Sequence, residues 1–214
     1  MNRQYLYTLY QRVWHWLQAF VLLTLILSGL EIHLPQSVHL IGFREAVRAH
    51  NFMGFVLLGN AFLGFFYYLT TGELRQLIPQ ARNLLGGLIA QARYYGYGIF
   101  HHAPHPHQKR PESRLNPLQR LTYTMVLNVL LPLQLVTGLM IWSAQNWPDS
   151  LARIGGLAAL AYVHSLGAWL FCAFLILHLY LITTGPTPTA HLRSMLTGWD
   201  TPEPQTPLTE APRK

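Results

Sequence analysis

The sequence predicts an all-α membrane protein, a bundle of four transmembrane helices. Three observations predict it. Charged residues make up only 11% of the chain and hydrophobic residues 51%, whereas ordinary soluble domains are about 25% charged. The few charges are clustered, and no Asp, Glu, Lys or Arg occurs between Arg153 and Arg193. Four uncharged or nearly uncharged spans result, each longer than the roughly 17 residues that a spanning helix needs.

The first span runs from Val13 to Leu30, between Arg12 and Glu31. It has no small-x-small cleavage site before polar sequence resumes, so it reads as a retained helix rather than a signal peptide. The second runs from Ala49 to Thr71, between Arg48 and Glu73. The third runs from Leu121 to Trp142 and contains Pro132, which predicts a kink, because neighbouring groups in a membrane bundle can satisfy the freed carbonyl. The fourth runs from Gly156 to Thr184. Between the second and third spans, Leu74–Tyr97 has Leu77, Leu84, Leu85 and Leu88 at helical spacing, the pattern of an interfacial helix. Residues 1–200 form the membrane domain. The tail, 201–214, is rich in proline and poor in apolar residues, and is expected to be disordered.

Orientation follows from the basic residues. Arg3 and Arg12 precede the first span without an acid. The connection from Gly72 to Arg120 carries Arg75, Arg82, Arg93, Lys109, Arg110, Arg114 and Arg120 against Glu73 and Glu112. The other two loops are nearly balanced. The positive-inside rule therefore puts both termini and the long loop in the cytoplasm, as in a multi-pass protein of a bacterial inner membrane. The same distribution excludes nucleic acid as a partner: the net charge of +7 sits in loops beside apolar spans and forms no basic stripe. The single cysteine, Cys172, excludes an intrachain disulfide, a covalently attached c-type haem and a cluster built from this chain alone.

Histidines carry the chemistry. His164 and His178 are fourteen residues apart in the uncharged fourth span. Fourteen helical residues return to nearly the same face about 21 Å along the axis, close to opposite edges of a hydrocarbon core about 30 Å thick. His15 begins the first span at the inner face and His50 begins the second at the outer face. Matching depths pairs His50 with His164 and His15 with His178. Two imidazoles from different helices at one level suit axial ligation of a b-type haem. The ordinary role, a packing histidine, is harder to apply to four that pair by depth with no intramembrane carboxylate to satisfy them. Gly54 and Gly167, each about one turn from a histidine, offer room for a macrocycle or for close helix packing. His33, His39 and His191 suit loop and interface positions, and His101, His102, His105 and His107 form a His/Pro cluster in the long loop.

Several stretches also carry a family likeness. Tyr10-Gln11-Arg12-Val13-Trp14-His15-Trp16, with His50, His164 and His178, resembles the cytochrome b subunits of formate dehydrogenases and Ni–Fe hydrogenases. Thr71-Gly72-Glu73-Leu74-Arg75-Gln76, Gln91-Ala92-Arg93-Tyr94-Tyr95, Tyr97-Gly98-Ile99-Phe100, Asn116-Pro117-Leu118-Gln119-Arg120-Leu121-Thr122-Tyr123 and Met195-Leu196-Thr197-Gly198-Trp199-Asp200 resemble the thiosulfate-reductase-type membrane anchors more closely. The likeness runs nearly to Asp200. It implies a four-helix bundle holding two b haems, an outer one on His50 and His164 and an inner one on His15 and His178. It also implies electron exchange between a quinone near the inner haem and a periplasmic redox subunit, either a molybdenum and iron–sulfur enzyme or a multihaem cytochrome c. Asn116 and Gln119 are then quinone candidates, although Asn-Pro is also a favoured helix start. Arg12, Arg48 and Arg120 are candidates for pairing with haem propionates, and positive-inside orientation also explains Arg12 and Arg120. Two other readings compete: a haem-free membrane anchor for a partner complex, and a proton-coupled transporter using the histidines as a relay. The second lacks the Asp or Glu that such relays usually include.

Overall fold

The computed structural model describes residues 3–78, 84–101, 103, 106 and 115–200. The proline-rich tail and most of the His101–His107 cluster lie outside the described residues. Four helices are long and apolar enough to cross a membrane: α1 (Leu9–His33), α2 (Phe43–Thr70), α4 (Pro117–Trp142) and α6 (Gly156–Ile182). Shorter helices are α3 (Leu84–Gly96), α5 (Pro148–Arg153) and α7 (Ala190–Thr197).

α1 extends past the charges that bound its apolar span, and α2 and α4 begin before the charges that bound theirs. α1 starts at a capping box: the Thr8 side chain accepts from Gln11 N–H, and the Gln11 side chain accepts from Thr8 N–H. It runs past Glu31, and α2 begins before Arg44, Glu45 and Arg48. Charge marks where an apolar face stops, whereas the helix stops where its backbone loses its partner. The turn between α1 and α2 is held by Glu31. Its carboxylate is 1% exposed and accepts Ile41 N–H at 3.2 Å and Gly42 N–H at 2.8 Å.

In α4 the sequence predicts a kink at Pro132, and the structure has a π turn over Val126–Leu130 just before it. The proline ring would press on the Asn128 carbonyl four residues earlier. Widening the helix by one residue accommodates it, and Leu131 N–H instead reaches Val126 O.

The spanning helices form two antiparallel pairs, α1 with α2 and α4 with α6, joined chiefly where α2 meets α4. Their shared core is a small cluster, Val21, Leu57, Leu131 and Phe171, one residue from each helix. Phe171 is seven residues from both His164 and His178, so this cluster lies midway between the two histidine levels. The outward faces are apolar: Leu27 is 50% exposed, Phe62 66%, Val136 54% and Ile176 71%. That is the surface of a protein sheathed by lipid.

Both described ends of the chain lie at one end of the bundle, and there the structure adds an element absent from the sequence reading. Gln4–Tyr5 pairs antiparallel with Trp199–Asp200. Leu6 N–H donates to Gly198 O at 2.8 Å, and the Tyr5 ring meets Trp199 edge-on at 5.2 Å. α7 is thereby laid against the start of α1, where Arg12 Nη1 donates to Leu196 O at 2.6 Å.

Candidate metal centres

The four intramembrane histidines meet in two pairs across the seam between the helix pairs. His15 on α1 faces His178 on α6, with ring centroids 6.2 Å apart. His50 on α2 faces His164 on α6, also at 6.2 Å. The second pair is the one farther from the chain ends. α6 therefore contributes one imidazole to each level.

The surroundings of the two levels differ. At the His50/His164 level each imidazole has a hydroxyl partner: His50 Nδ1 lies 3.0 Å from Ser28 Oγ, and His164 Nδ1 lies 2.8 Å from Thr137 Oγ1. Both hydroxyl residues are 4% exposed. At the other level the rings are held by aromatic contact. His178 stacks on Phe174 at 5.6 Å and meets Tyr123 edge-on at 6.5 Å, while His15 lies edge-on to Trp16 at 5.3 Å. The His15 Nδ1 atom is buried with no hydrogen-bond partner among the described residues.

At the His50/His164 level two glycines of neighbouring helices lie close against the rings. A Cβ on Gly29 would approach His50 Cε1 to 3.2 Å, and one on Gly138 would approach His164 Cε1 to 3.2 Å. Of the two roles open to Gly167, close helix packing is the one seen: it is covered by Gln134, whose amide would lie 2.9 Å from an added Cβ. Gly54 faces open space. Sequence spacing finds glycines on the histidine's own helix, whereas the backbone that a ring touches belongs to the neighbouring helix.

Matches to known proteins follow the same line. The model of the prokaryotic cytochrome b561 family matches residues 6–198. The chain belongs to that family. It is 34% identical over 196 residues to the putative cytochrome YdhU of Escherichia coli (strain K12), covering 91% of this chain and 74% of that protein. It is 25% identical over 187 residues to the putative protein-methionine-sulfoxide reductase subunit YedZ1 of Azospira oryzae, covering 82% of this chain and 88% of that protein. It is thus a multi-pass membrane cytochrome of electron transport, in a family that binds b-type haem.

The residues present fit such a group. An imidazole nitrogen binds a metal at about 2 Å, so two imidazoles on opposite sides of one iron have ring centroids about 6 Å apart. Both pairs have that separation in the protein alone. Each pair joins helices that are not the closely packed partners, α1 to α6 and α2 to α6.

The other candidates fall as follows. Asn116 and Gln119 form a capping box at the start of α4. Asn116 Oδ1 accepts Gln119 N–H at 2.8 Å, and Gln119 Oε1 accepts Asn116 N–H at 3.2 Å. The Asn116 amide donates to the Tyr95 hydroxyl at 3.0 Å. Asn116 and Gln91 are 2% and 1% exposed, so α3 brings a buried polar cluster that sequence spacing did not reveal. Burial raises the Tyr95 phenol pKa above its usual value, and side-chain hydrogen bonds with Asn116 and Gln91 oppose that rise. Arg120 is 6% exposed and donates to Ile78 O at 3.3 Å. Arg48 is exposed and paired with Glu45 at 2.7 Å. The buried Arg12 Nε atom has no hydrogen-bond partner among the described residues.

Proposed function

We propose that this chain is a dihaem cytochrome b of the thiosulfate-reductase, formate-dehydrogenase and Ni–Fe-hydrogenase type. It is the membrane subunit of a quinone-linked oxidoreductase in a bacterial inner membrane. Its task is to carry electrons between the quinone pool and a periplasmic redox subunit. The observation that carries this reading is the pair of facing imidazoles at each of two depths, both at 6.2 Å. His50 and His164 are the ligands of the outer centre, and His15 and His178 those of the inner one. Bound there, b haem supplies one-electron redox chemistry that the side chains of these spans do not offer.

The chain's own residues do the rest. α6 fixes the spacing of the two levels, and the Val21, Leu57, Leu131 and Phe171 cluster excludes water between them. The excess of basic residues at the end that carries the termini supports placing that end in the cytoplasm. Asn116 and Gln119 are the quinone-contacting candidates. With their acceptor oxygens committed to the helix cap, their amide N–H groups are what they offer a quinone carbonyl, and Tyr95 joins them through Asn116. YedZ1 is by name a reductase subunit, which supports a redox partner at the opposite face, either a molybdenum and iron–sulfur enzyme or a multihaem cytochrome c.

The test is a reduced-minus-oxidised spectrum with haem quantification on the purified chain. Two b haems per chain are expected, with one lost and quinone turnover abolished in His178→Ala. Absence of a b-type band returns the chain to the haem-free anchor, and substrate uptake without haem returns it to the transporter. Retention of both haems in His178→Ala refutes the ligand pairing.

A further inference from the structure

The His50/His164 level is built from the same two-residue unit used twice. Ser28-Gly29 on α1 meets His50, and Thr137-Gly138 on α4 meets His164. In each unit the hydroxyl reaches the ring's Nδ1, and the next residue, a glycine, lets the ring's Cε1 rest on the neighbouring helix backbone.

The protons in these units are fixed by elementary counting. Ser28 Oγ is 2.7 Å from Thr24 O, and Thr137 Oγ1 is 2.7 Å from Leu133 O. A carbonyl only accepts, and a hydroxyl has one proton. Each hydroxyl therefore donates along its own helix and accepts from the imidazole, so His50 and His164 both carry their proton on Nδ1. The lone pair of each is then on Nε2. A hydrogen bond accepted from Nδ1–H pulls that proton toward oxygen and makes the ring a stronger donor to a metal. At the other level the His15 Nδ1 atom has no hydrogen-bond partner among the described residues.

We infer that Ser28-Gly29 and Thr137-Gly138 are matched positioning clamps that fix the tautomer and orientation of His50 and His164, and thereby lower the reduction potential of that centre. The inference rests on the dihaem reading. Ferric iron gains more than ferrous iron from a stronger nitrogen donor, so both hydroxyls pull the potential in the same direction.

The experiment is a spectroelectrochemical titration of the purified, haem-loaded protein, with electron paramagnetic resonance of the ferric centres. The signal that survives in His178→Ala identifies the His50/His164 centre. Ser28→Ala and Thr137→Val are each expected to raise that centre's potential, by up to about a tenfold change in the ferric/ferrous equilibrium constant, or about 59 mV for one electron. Its resonance should shift while the other centre stays unchanged. Ser28→Thr and Thr137→Ser, which keep the hydroxyl, should restore both readings. No shift, an equal shift at both centres, or failure of the hydroxyl-keeping variants to restore it overturns the inference. A parent protein without haem overturns the dihaem reading instead.

Discussion

Among the glycines of the spanning helices, Gly64 is the one whose added carbon would meet a neighbour most closely. A Cβ there would lie 2.6 Å from Trp14 Nε1, 2.7 Å from Cε2 and 2.8 Å from Cζ2. Comfortable contact is about 3.5 Å or more, so Gly64→Ala must drive the indole back by about 1 Å. The ring cannot slide away without loss. Its Nε1 donates to Asn60 O at 2.8 Å, and Tyr68 meets its edge at 6.0 Å. Overpacking of this kind costs about 1–3 kcal/mol, and the strained indole hydrogen bond adds about 0.5–1.5 kcal/mol. The assay is equilibrium unfolding in mixed micelles, followed by far-UV circular dichroism. Gly64→Ala should be destabilised by about 1.5–4.5 kcal/mol on these terms. Trp14→Phe should largely absorb the added methyl, giving a favourable coupling of about 1 kcal/mol or more in the double-mutant cycle. A Gly64→Ala protein as stable as the parent, or strictly additive behaviour with Trp14→Phe, refutes the claim that α1 and α2 close against each other through this indole.

On the proposed dihaem function, Gly138→Ala should weaken haem retention at the His50/His164 level through the 3.2 Å contact with His164 Cε1, leaving the other level loaded; haem content per chain measures it. Glu31→Gln removes the charge from a carboxylate that accepts two backbone N–H groups, and should loosen residues 34–42 by about 1–3 kcal/mol, seen as faster amide exchange at Ile41 and Gly42. Gly198 has φ +86°, and an added Cβ would sit 2.6 Å from Tyr5 Cε2 and 2.7 Å from Tyr7 O. Gly198→Ala should therefore release the terminal strand pair and deprotect the Leu6 amide, with the four spanning helices unchanged.

The spanning helices were readable because lipid imposes one rule on all of them: long apolar runs with their backbone bonded internally. The histidine pairing was readable for a related reason, since helical rise converts residue number into depth and His15, His50, His164 and His178 need only that coordinate. What escaped the sequence depends on lateral neighbours. The Ser28–His50 and Thr137–His164 bonds join helices whose rotation about their axes no apolar pattern sets, because each helix is apolar almost all round. Asn116 and Gln119 show a different obstacle. One short motif serves as a helix cap and remains a candidate for ligand contact, and only the folded geometry separates the atoms that the cap uses from the rest. The strand pair of Gln4–Tyr5 with Trp199–Asp200 was invisible because two residues on each side carry no periodicity, and their partners lie at opposite ends of the chain.

The four-residue core has a consequence for protons. A proton crosses a membrane along a file of oxygen or nitrogen atoms close enough to hand it on. Val21, Leu57, Leu131 and Phe171 offer none, and the hydroxyl of nearby Thr24 is turned onto its own helix, donating to Phe20 O. The cluster is thus a step midway between the two histidine levels whose own side chains carry no proton. On the proposed dihaem function, a proton could cancel charge moved between the levels only by passing this apolar step, which favours exchange with the water on its own face.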